Sequence, residues 1–131
     1  MSHIVEAKTS IANPDLVLLG QAVGLVAQQH GGSVQNFYLS FNRKRHRVNT
    51  KLALHSSELH RGIGIQLANT GELTFVGDPW GVEALFTQVQ QEIVQAYVSL
   101  AAMQALNQLG YTTQAIDGEN RQVIIQGVNY A

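Results

Sequence analysis

The sequence predicts an α+β fold in which a mainly antiparallel β-sheet carries two helices, one of them long, on one face. Pro14 and Pro79 predict the helices, because each follows a capping residue and precedes apolar residues at helical spacing. Asn69-Thr70-Gly71 separates two segments of alternating apolar residues, a pattern typical of a β-hairpin. The other apolar segments are short and alternate in the same way. We therefore expect the order β-α-β-β-β-β-α-β-β in a single domain, residues 1–131.

The first half of the chain predicts a strand at residues 4–11, followed by the first helix. This helix begins at about residue 14 and ends at Gly31-Gly32, since glycine accommodates the left-handed conformation of a helix cap. Alternating apolar side chains indicate the strands that follow it. The four strands predicted between the two helices are 34–41, 51–56, 62–68 and 72–77.

The second helix is expected from about residue 80 to residue 109, with Gly110 as its stop. About 30 residues at 1.5 Å each would span about 45 Å, so the helix either breaks near Ser99 to Met103 or projects beyond the sheet. The chain has no charged residue between Glu92 and Asp117. This uncharged surface is either an ordinary solvent-exposed surface that binds nothing or an interface with a protein partner. A last hairpin, 112–116 and 122–127, is expected around Asp117-Gly118.

Composition excludes several classes of protein. Hydrophobic residues make up 45% of the 131 residues and charged residues 13%, which excludes intrinsic disorder. The chain has no cysteine, which excludes disulfide scaffolds, thiolate metal sites and cysteine nucleophiles. No apolar run reaches the roughly 18 to 20 residues of a membrane span, and residues 1–6 have neither the basic flank nor the apolar run expected of a signal peptide. We expect a cytoplasmic or organelle-matrix protein without a membrane anchor.

A basic segment is the most unusual local feature of the sequence. Between residues 43 and 61 the chain carries six of its eight cations and one acid, a charge of +5, while the remaining residues sum to −6. Aromatic residues lie directly upstream at positions 37, 38 and 41. Three interpretations stay open: a solvated loop, a binding site for an acidic protein surface, and a nucleic-acid site. The candidate binding cations are Arg43, Lys44, Arg45, Arg47, Lys51 and Arg61.

The histidines and the single tryptophan are weaker signals. His55, Glu58 and His60 have no helical metal-ligand spacing, and side chains of an extended segment alternate between two faces, so we expect no metal site. No glycine-rich phosphate loop or nucleophile motif occurs, so we expect neither a cofactor nor a catalytic residue. Trp80 either fastens the start of the second helix to the sheet or forms an exposed anchor for a partner.

Three stretches together resemble a known family. They are Met1-Ser2-His3-Ile4 with Lys8-Thr9-x-Ile11, Asn69-Thr70-Gly71-Glu72-Leu73, and Asp78-x-Trp80-Gly81-Val82 before Gln95-Ala96-Tyr97 and Leu109-Gly110-Tyr111. Their order is similar to that of the hypothetical chloroplast reading frame thirty-five family, a domain of unknown function in cyanobacteria and algal plastids. The resemblance implies an accessory or adaptor protein whose partner is an AAA-type ATPase or a ferredoxin-like protein. The chain departs from the family at Pro79 and at its basic run 43–47.

Our leading hypothesis from the sequence is a non-catalytic accessory protein that binds a protein partner and can self-associate. The first alternative is a nucleic-acid-binding accessory protein that uses the basic segment 43–61. The second is a small enzyme whose site assembles from distant residues, namely His55, Glu58, His60 and Asp78.

Overall fold

The computed structural model describes residues 3–117 and 123–129, and within them the chain forms two α-helices and nine strands. The predicted α+β class is confirmed. The helices are α1, Leu16–Gln29, and α2, Glu83–Gln108. The strands are β1 Val5–Ala12, β2 Ser33–Gln35, β3 Phe37–Leu39, β4 Arg45–Arg47, β5 Leu52–His55, β6 Ile63–Leu67, β7 Glu72–Gly77, β8 Tyr111–Asp117 and β9 Val123–Asn129.

The main sheet has five strands in the order β1-β7-β6-β5-β2, and every neighbouring pair is antiparallel. The predicted hairpin joins β6 to β7, with Gly71 at a φ of +93° in the turn. Two further pairs, β3 with β4 and β8 with β9, form separate two-stranded sheets. The mainly antiparallel sheet that the sequence predicts is therefore confirmed.

The two faces of the main sheet have different coverings. Side chains alternate along each strand, so Leu73 and Phe75 of β7 face the helices, whereas Val76 faces the other way. Both helices pack on the first face and close the principal core. The buried members of this core are Leu19, Val23, Val26, Ala27, Leu54, Leu59, Ile63, Ile65, Leu73, Phe75, Phe86, Val89 and Ile93.

The opposite face of the sheet is covered by β3 and β4. Tyr38 and Val48 pack there against Val76 in a small second cluster. Gly64 makes this approach feasible, because a Cβ at this position would lie 2.7 Å from a methyl group of Val48 and 2.9 Å from the ring of Tyr38. The chain thus places a two-stranded hairpin directly on the bare backbone of β6.

The predicted strand 34–41 is wrong as a single element. It divides at Asn36 into β2, which pairs with β5 of the main sheet, and β3, which pairs with β4. A ring nitrogen of His55 donates to the carbonyl of Phe37 at 2.6 Å and holds the chain where it leaves the sheet. The basic run 43–47 is also partly a strand, so six strands rather than four lie between the helices.

Both predicted helix starts are early. Asp15, not Asn13, caps α1, because its carboxylate accepts the N–H groups of Val17 and Leu18 at 2.9 and 3.1 Å. The start of α2 moves to Glu83 because the Val82 N–H bonds the Pro79 carbonyl at 2.8 Å, which closes a turn before the helix. The helix then continues without a break for 26 residues, about 39 Å at 1.5 Å per residue, and it contacts β8 and β9.

Candidate functional site

The basic hairpin, residues 37–47, comprises β3, β4 and the tip 40–44 that joins them. Its register pairs Phe37 with Arg47 and Tyr38 with His46. Tyr38 and His46 face the main sheet and stack with ring centroids 4.9 Å apart. Alternation therefore directs Arg45 and Arg47 outward, where both are exposed to solvent.

The tip of the basic hairpin holds an aromatic side chain in solvent. Phe41 is 64% exposed. The next two residues, Asn42 and Arg43, have φ angles of +62° and +58°, a left-handed conformation that costs an L-residue other than asparagine or glycine roughly 1–2 kcal/mol. Backbone bonds from Ser40 N to Lys44 O, 2.9 Å, and from Arg43 N to Ser40 O, 3.0 Å, maintain the turn. The tip is thus a hydrogen-bonded turn with a strained backbone that presents the Phe41 ring to solvent.

A cavity of about 230 Å³ lies beside the tip. Its lining includes two arginines, Arg43 and Arg61, together with His60 and the exposed Phe41. Such a lining suits a ligand that has both a carboxylate and an apolar group, because arginine binds carboxylates and the aromatic residue packs against apolar groups. The residues that line it are Leu39, Ser40, Phe41, Asn42, Arg43, His60 and Arg61.

The Trp80 corner, formed by Arg61, Asp78, Pro79 and Trp80, adjoins this cavity through Arg61. Asp78 is 2% exposed and accepts from Arg61 Nη1 at 2.9 Å. The Arg61 guanidinium also lies 5.6 Å from the centre of the Trp80 ring, in the geometry of a cation–π contact. Trp80 itself is 56% exposed. Trp80 lies in the turn before α2, whereas the sequence predicted it in the first helical turn. Its role as an anchor for a partner stays a prediction.

The six predicted cations do not form one cluster. Arg43, Lys44, Arg45 and Arg47 belong to the basic hairpin and are exposed. Arg61 is half-buried and ion-paired in the Trp80 corner. Lys51 lies past the base of the hairpin, in a turn where its φ is +60° and its N–H bonds the carbonyl of Val48 at 3.1 Å.

The aromatic residues upstream of the cations have three different environments. The Arg45 guanidinium lies 4.4 Å from the centre of the Phe37 ring, which also contacts the ring of His55 at 5.2 Å. Tyr38 is buried, and burial together with the nearby Glu6 carboxylate raises the pKa of its phenol. Of these three aromatic side chains, Phe41 alone is exposed.

The four side chains of the distant-site hypothesis do not line one cavity, although the His55 ring lies 3.4 Å from the His60 carbonyl. Glu58 is exposed. Asp78 pairs with Arg61, and His55 bonds the backbone of Phe37, so neither side chain faces a shared pocket. His60 lines the cavity at the tip, whereas Asp78 lines a different one. Within residues 3–117 and 123–129, no group of three or more histidine, aspartate or glutamate side chains is placed to hold a metal ion.

Sequence reasoning missed the roles of Ser40, Asn42 and His60 at the cavity. No local pattern marks them, because the tip and residues 60 and 61 are brought together by a long-range contact, the bond from Leu39 N to Arg61 O at 2.7 Å. One usable signal was Gly62, which follows these residues at a φ of +80°. A Cβ there would lie 2.6 Å from the His55 ring, so glycine marks a close approach.

Comparison with known proteins gives no match to this chain, whether with protein-family models, with curated proteins or with solved structures. Among the residues that the structure describes, no helix has the length and apolar character needed to cross a membrane.

Proposed function

We propose that this protein is a non-catalytic accessory protein that binds an acidic segment of a partner protein on the surface formed by the basic hairpin and the Trp80 corner. One observation carries the proposal. Phe41 and Trp80 are both exposed, and Arg61 contributes to the cavity beside one of them and lies against the ring of the other. Two aromatic anchors therefore share one cationic surface.

Charge supports an acidic partner. The basic hairpin contains four cations and no acid, whereas the chain outside residues 43–61 sums to −6. This separation gives the molecule a positive end that attracts acidic surfaces and orients them as they approach. Arginine supplies three of the four charges on the hairpin, and its planar group binds carboxylates with two parallel hydrogen bonds.

The exposed aromatic residues support a protein partner over a nucleic acid. Tryptophan and arginine are the residues most enriched among those that dominate binding energy at protein interfaces. Binding of a single strand depends instead on several aromatic rings that stack successive bases. Phe37 is already contacted by Arg45 and His55, and Tyr38 is buried, so the hairpin offers one such ring, that of Phe41.

The resemblance to the hypothetical chloroplast reading frame thirty-five family supports the same role. It points to an accessory protein of the cytoplasm or plastid stroma and to AAA-type ATPases or ferredoxin-like proteins as the partners to test first. The acidic surfaces of such partners are the segments that we expect to meet the basic hairpin.

A fluorescence titration tests the proposal directly, because Trp80 is the only tryptophan of the chain. The probe is a short peptide of alternating glutamate and leucine, and the matched control peptide has glutamine in place of glutamate. We expect the acidic peptide to change Trp80 emission and to bind more weakly as salt rises. The Arg45→Glu/Arg47→Glu variant should weaken binding about tenfold or more, whereas Lys51→Gln should leave it within about twofold.

The same titration separates the alternative. A single-stranded oligonucleotide that binds more tightly than the acidic peptide, with an affinity that falls steeply with salt, would replace this proposal with the nucleic-acid function. Equal binding of the acidic and the glutamine peptides would remove the charge argument and contradict the proposal.

A further inference from the structure

The strand β1 forms one edge of the main sheet. In the part of the chain that the structure describes, β1 pairs only with β7, so its other side presents N–H and C=O groups to which no strand is bonded. It is eight residues long, Val5–Ala12. An edge of this length is a template for a further strand unless charges or a bulge prevent pairing.

The charges on β1 are complementary to a second copy of β1. Glu6 and Lys8 are exposed and point to the same side of the sheet, with Ala7 between them. An antiparallel pair centred on Ala7 places Glu6 opposite Lys8 of the other copy and Lys8 opposite its Glu6. A register centred on Glu6 or on Lys8 would instead place like charges opposite each other, which is unfavourable. The charges thus select one register.

A second observation lies on the helix side of the same edge. A cavity of about 390 Å³ separates β1 from α2. Thr9 of β1 and Phe75 of β7 line it together with five residues of α2, and one of these, Val98, is 52% exposed. The five are Gln90, Gln91, Val94, Gln95 and Val98. A two-fold axis through the Ala7 pair, perpendicular to the sheet, keeps both helix layers on one side. It therefore places the two cavities along a single seam.

We propose that this protein forms a two-fold symmetric homodimer in which β1 pairs with β1 of a second copy, with Ala7 at the centre of the register. The β1–β7 register shifts between Lys8 and Ala12, so the paired segment is 5–9. So short a strand pair buries less than the roughly 1,200 Å² of a standard interface, and the apolar cavity beside α2 supplies additional area. The dimer rests on the β1 edge and not on the proposed partner binding, although the two surfaces adjoin, since Val5 lines a cavity with Trp80 and the Glu6 carboxylate lies near Tyr38 of the basic hairpin.

Charge exchange tests the register. Sedimentation velocity of the full chain should show a species of twice the 14.3 kDa chain mass. Glu6→Lys alone and Lys8→Glu alone should each raise the dissociation constant about tenfold or more, because both symmetric ion pairs become repulsive. The double variant Glu6→Lys/Lys8→Glu should restore the dimer. A mixture of the two single variants should form a heterodimer that is tighter than the homodimer of either variant, because its charge pairs are again attractive.

Cross-linking tests the centre of the pair. The chain has no cysteine, so Ala7→Cys introduces one thiol, which lies opposite its own copy at the two-fold axis. Mild oxidation should convert this variant to a covalent dimer. The control is Ser10→Cys, whose two copies would lie about 20 Å apart at about 3.4 Å per residue and should stay monomeric in the gel.

Two results would overturn the proposal. One is a chain that sediments as a monomer at the highest soluble concentration and gives no Ala7→Cys cross-link. The other is a dimer whose dissociation constant does not respond to either charge exchange, since its interface would then lie elsewhere.

Discussion

The two faces of the five-stranded sheet carry very different amounts of apolar packing. On the helix face, α1 and α2 close a large cluster of buried aliphatic and aromatic side chains. On the hairpin face, the buried cluster of the described residues consists of Tyr38, Val48 and Val76. The hairpin face also carries the exposed cations and the left-handed tip. Packing is thus concentrated on one face, and the other presents charged groups and a left-handed turn to solvent, where we propose that a partner binds.

The strand β7 belongs to both faces, which makes the comparison experimentally accessible. Phe75 points into the helix-side core and its neighbour Val76 into the hairpin-side cluster. Substitutions one residue apart in the sequence therefore report on different packing layers. The predictions below run from the helix face, where the loss should be largest, to the hairpin face.

Phe75→Ala should have the largest effect on stability. Phe75 is 1% exposed at the centre of the principal core, so its truncation leaves a cavity that costs about 3–5 kcal/mol of unfolding free energy. Urea unfolding followed by circular dichroism measures this loss. Leu25→Ala, at a half-exposed position of α1, is the control and should change stability by less than about 0.5 kcal/mol. A comparable loss in both variants would contradict the assigned core.

Arg61→Met should come next. It removes the partner of the buried Asp78 carboxylate and leaves that charge uncompensated, which costs about 3 kcal/mol. Trp80 emission should shift as the cation–π contact is lost. Adding Asp78→Asn to Arg61→Met should recover part of the stability, because the uncompensated charge is gone. No recovery in the double variant would show that the ion pair does not stabilise the Trp80 corner.

Gly64→Ala tests how tightly the basic hairpin lies on the sheet. The new Cβ would lie 2.7 Å from Val48, 2.9 Å from Tyr38 and 3.0 Å from Val76, so we expect a loss of about 1–3 kcal/mol. Hydrogen exchange should accelerate in β3 and β4 more than in α2. Gly24→Ala is the matched control, because its Cβ meets nothing within 4 Å in the interior of α1 and should stabilise the helix by about 0.5–1 kcal/mol.

The sequence is most informative where structure depends on neighbouring residues. The β6–β7 hairpin was predictable because alternation and Gly71 are local signals, and the end of α1 followed from Gly31 in the same way. The start of α2 was not predictable. Asp78 caps the turn that precedes the helix, since its carboxylate accepts the Trp80 N–H at 3.3 Å. It also binds Arg61, seventeen positions earlier in the chain. A long-range ion pair leaves no periodic trace in a sequence.

The candidate site shows the same division between local and long-range information. The density of cations at 43–47 was evident from composition alone, and these residues are exposed on one hairpin. That Tyr38 would be buried while Phe41 is exposed depends on which face of β3 meets Gly64, a contact between distant segments. The split of the predicted strand at Asn36 has the same origin, since His55 bonds the Phe37 carbonyl from β5.

The smallest expected effect concerns pH and the hairpin-side cluster. Burial and the Glu6 carboxylate raise the pKa of Tyr38 above its ordinary value of 10.0, so the unfolded chain loses this proton at lower pH than the folded chain does. The contribution of the neutral phenol to the unfolding free energy is therefore fully present below pH 10. It is lost as the pH rises through the raised pKa.

Tyr38→Phe cannot ionise, so its unfolding free energy should fall less than that of the natural chain between pH 9 and pH 11. Urea unfolding across this range measures the difference. Glu6→Gln is the second variant and should give an intermediate slope, because it removes the carboxylate and leaves burial as the remaining cause. Identical slopes for all three chains would contradict a raised Tyr38 pKa, and with it the burial of this phenol between the basic hairpin and the sheet.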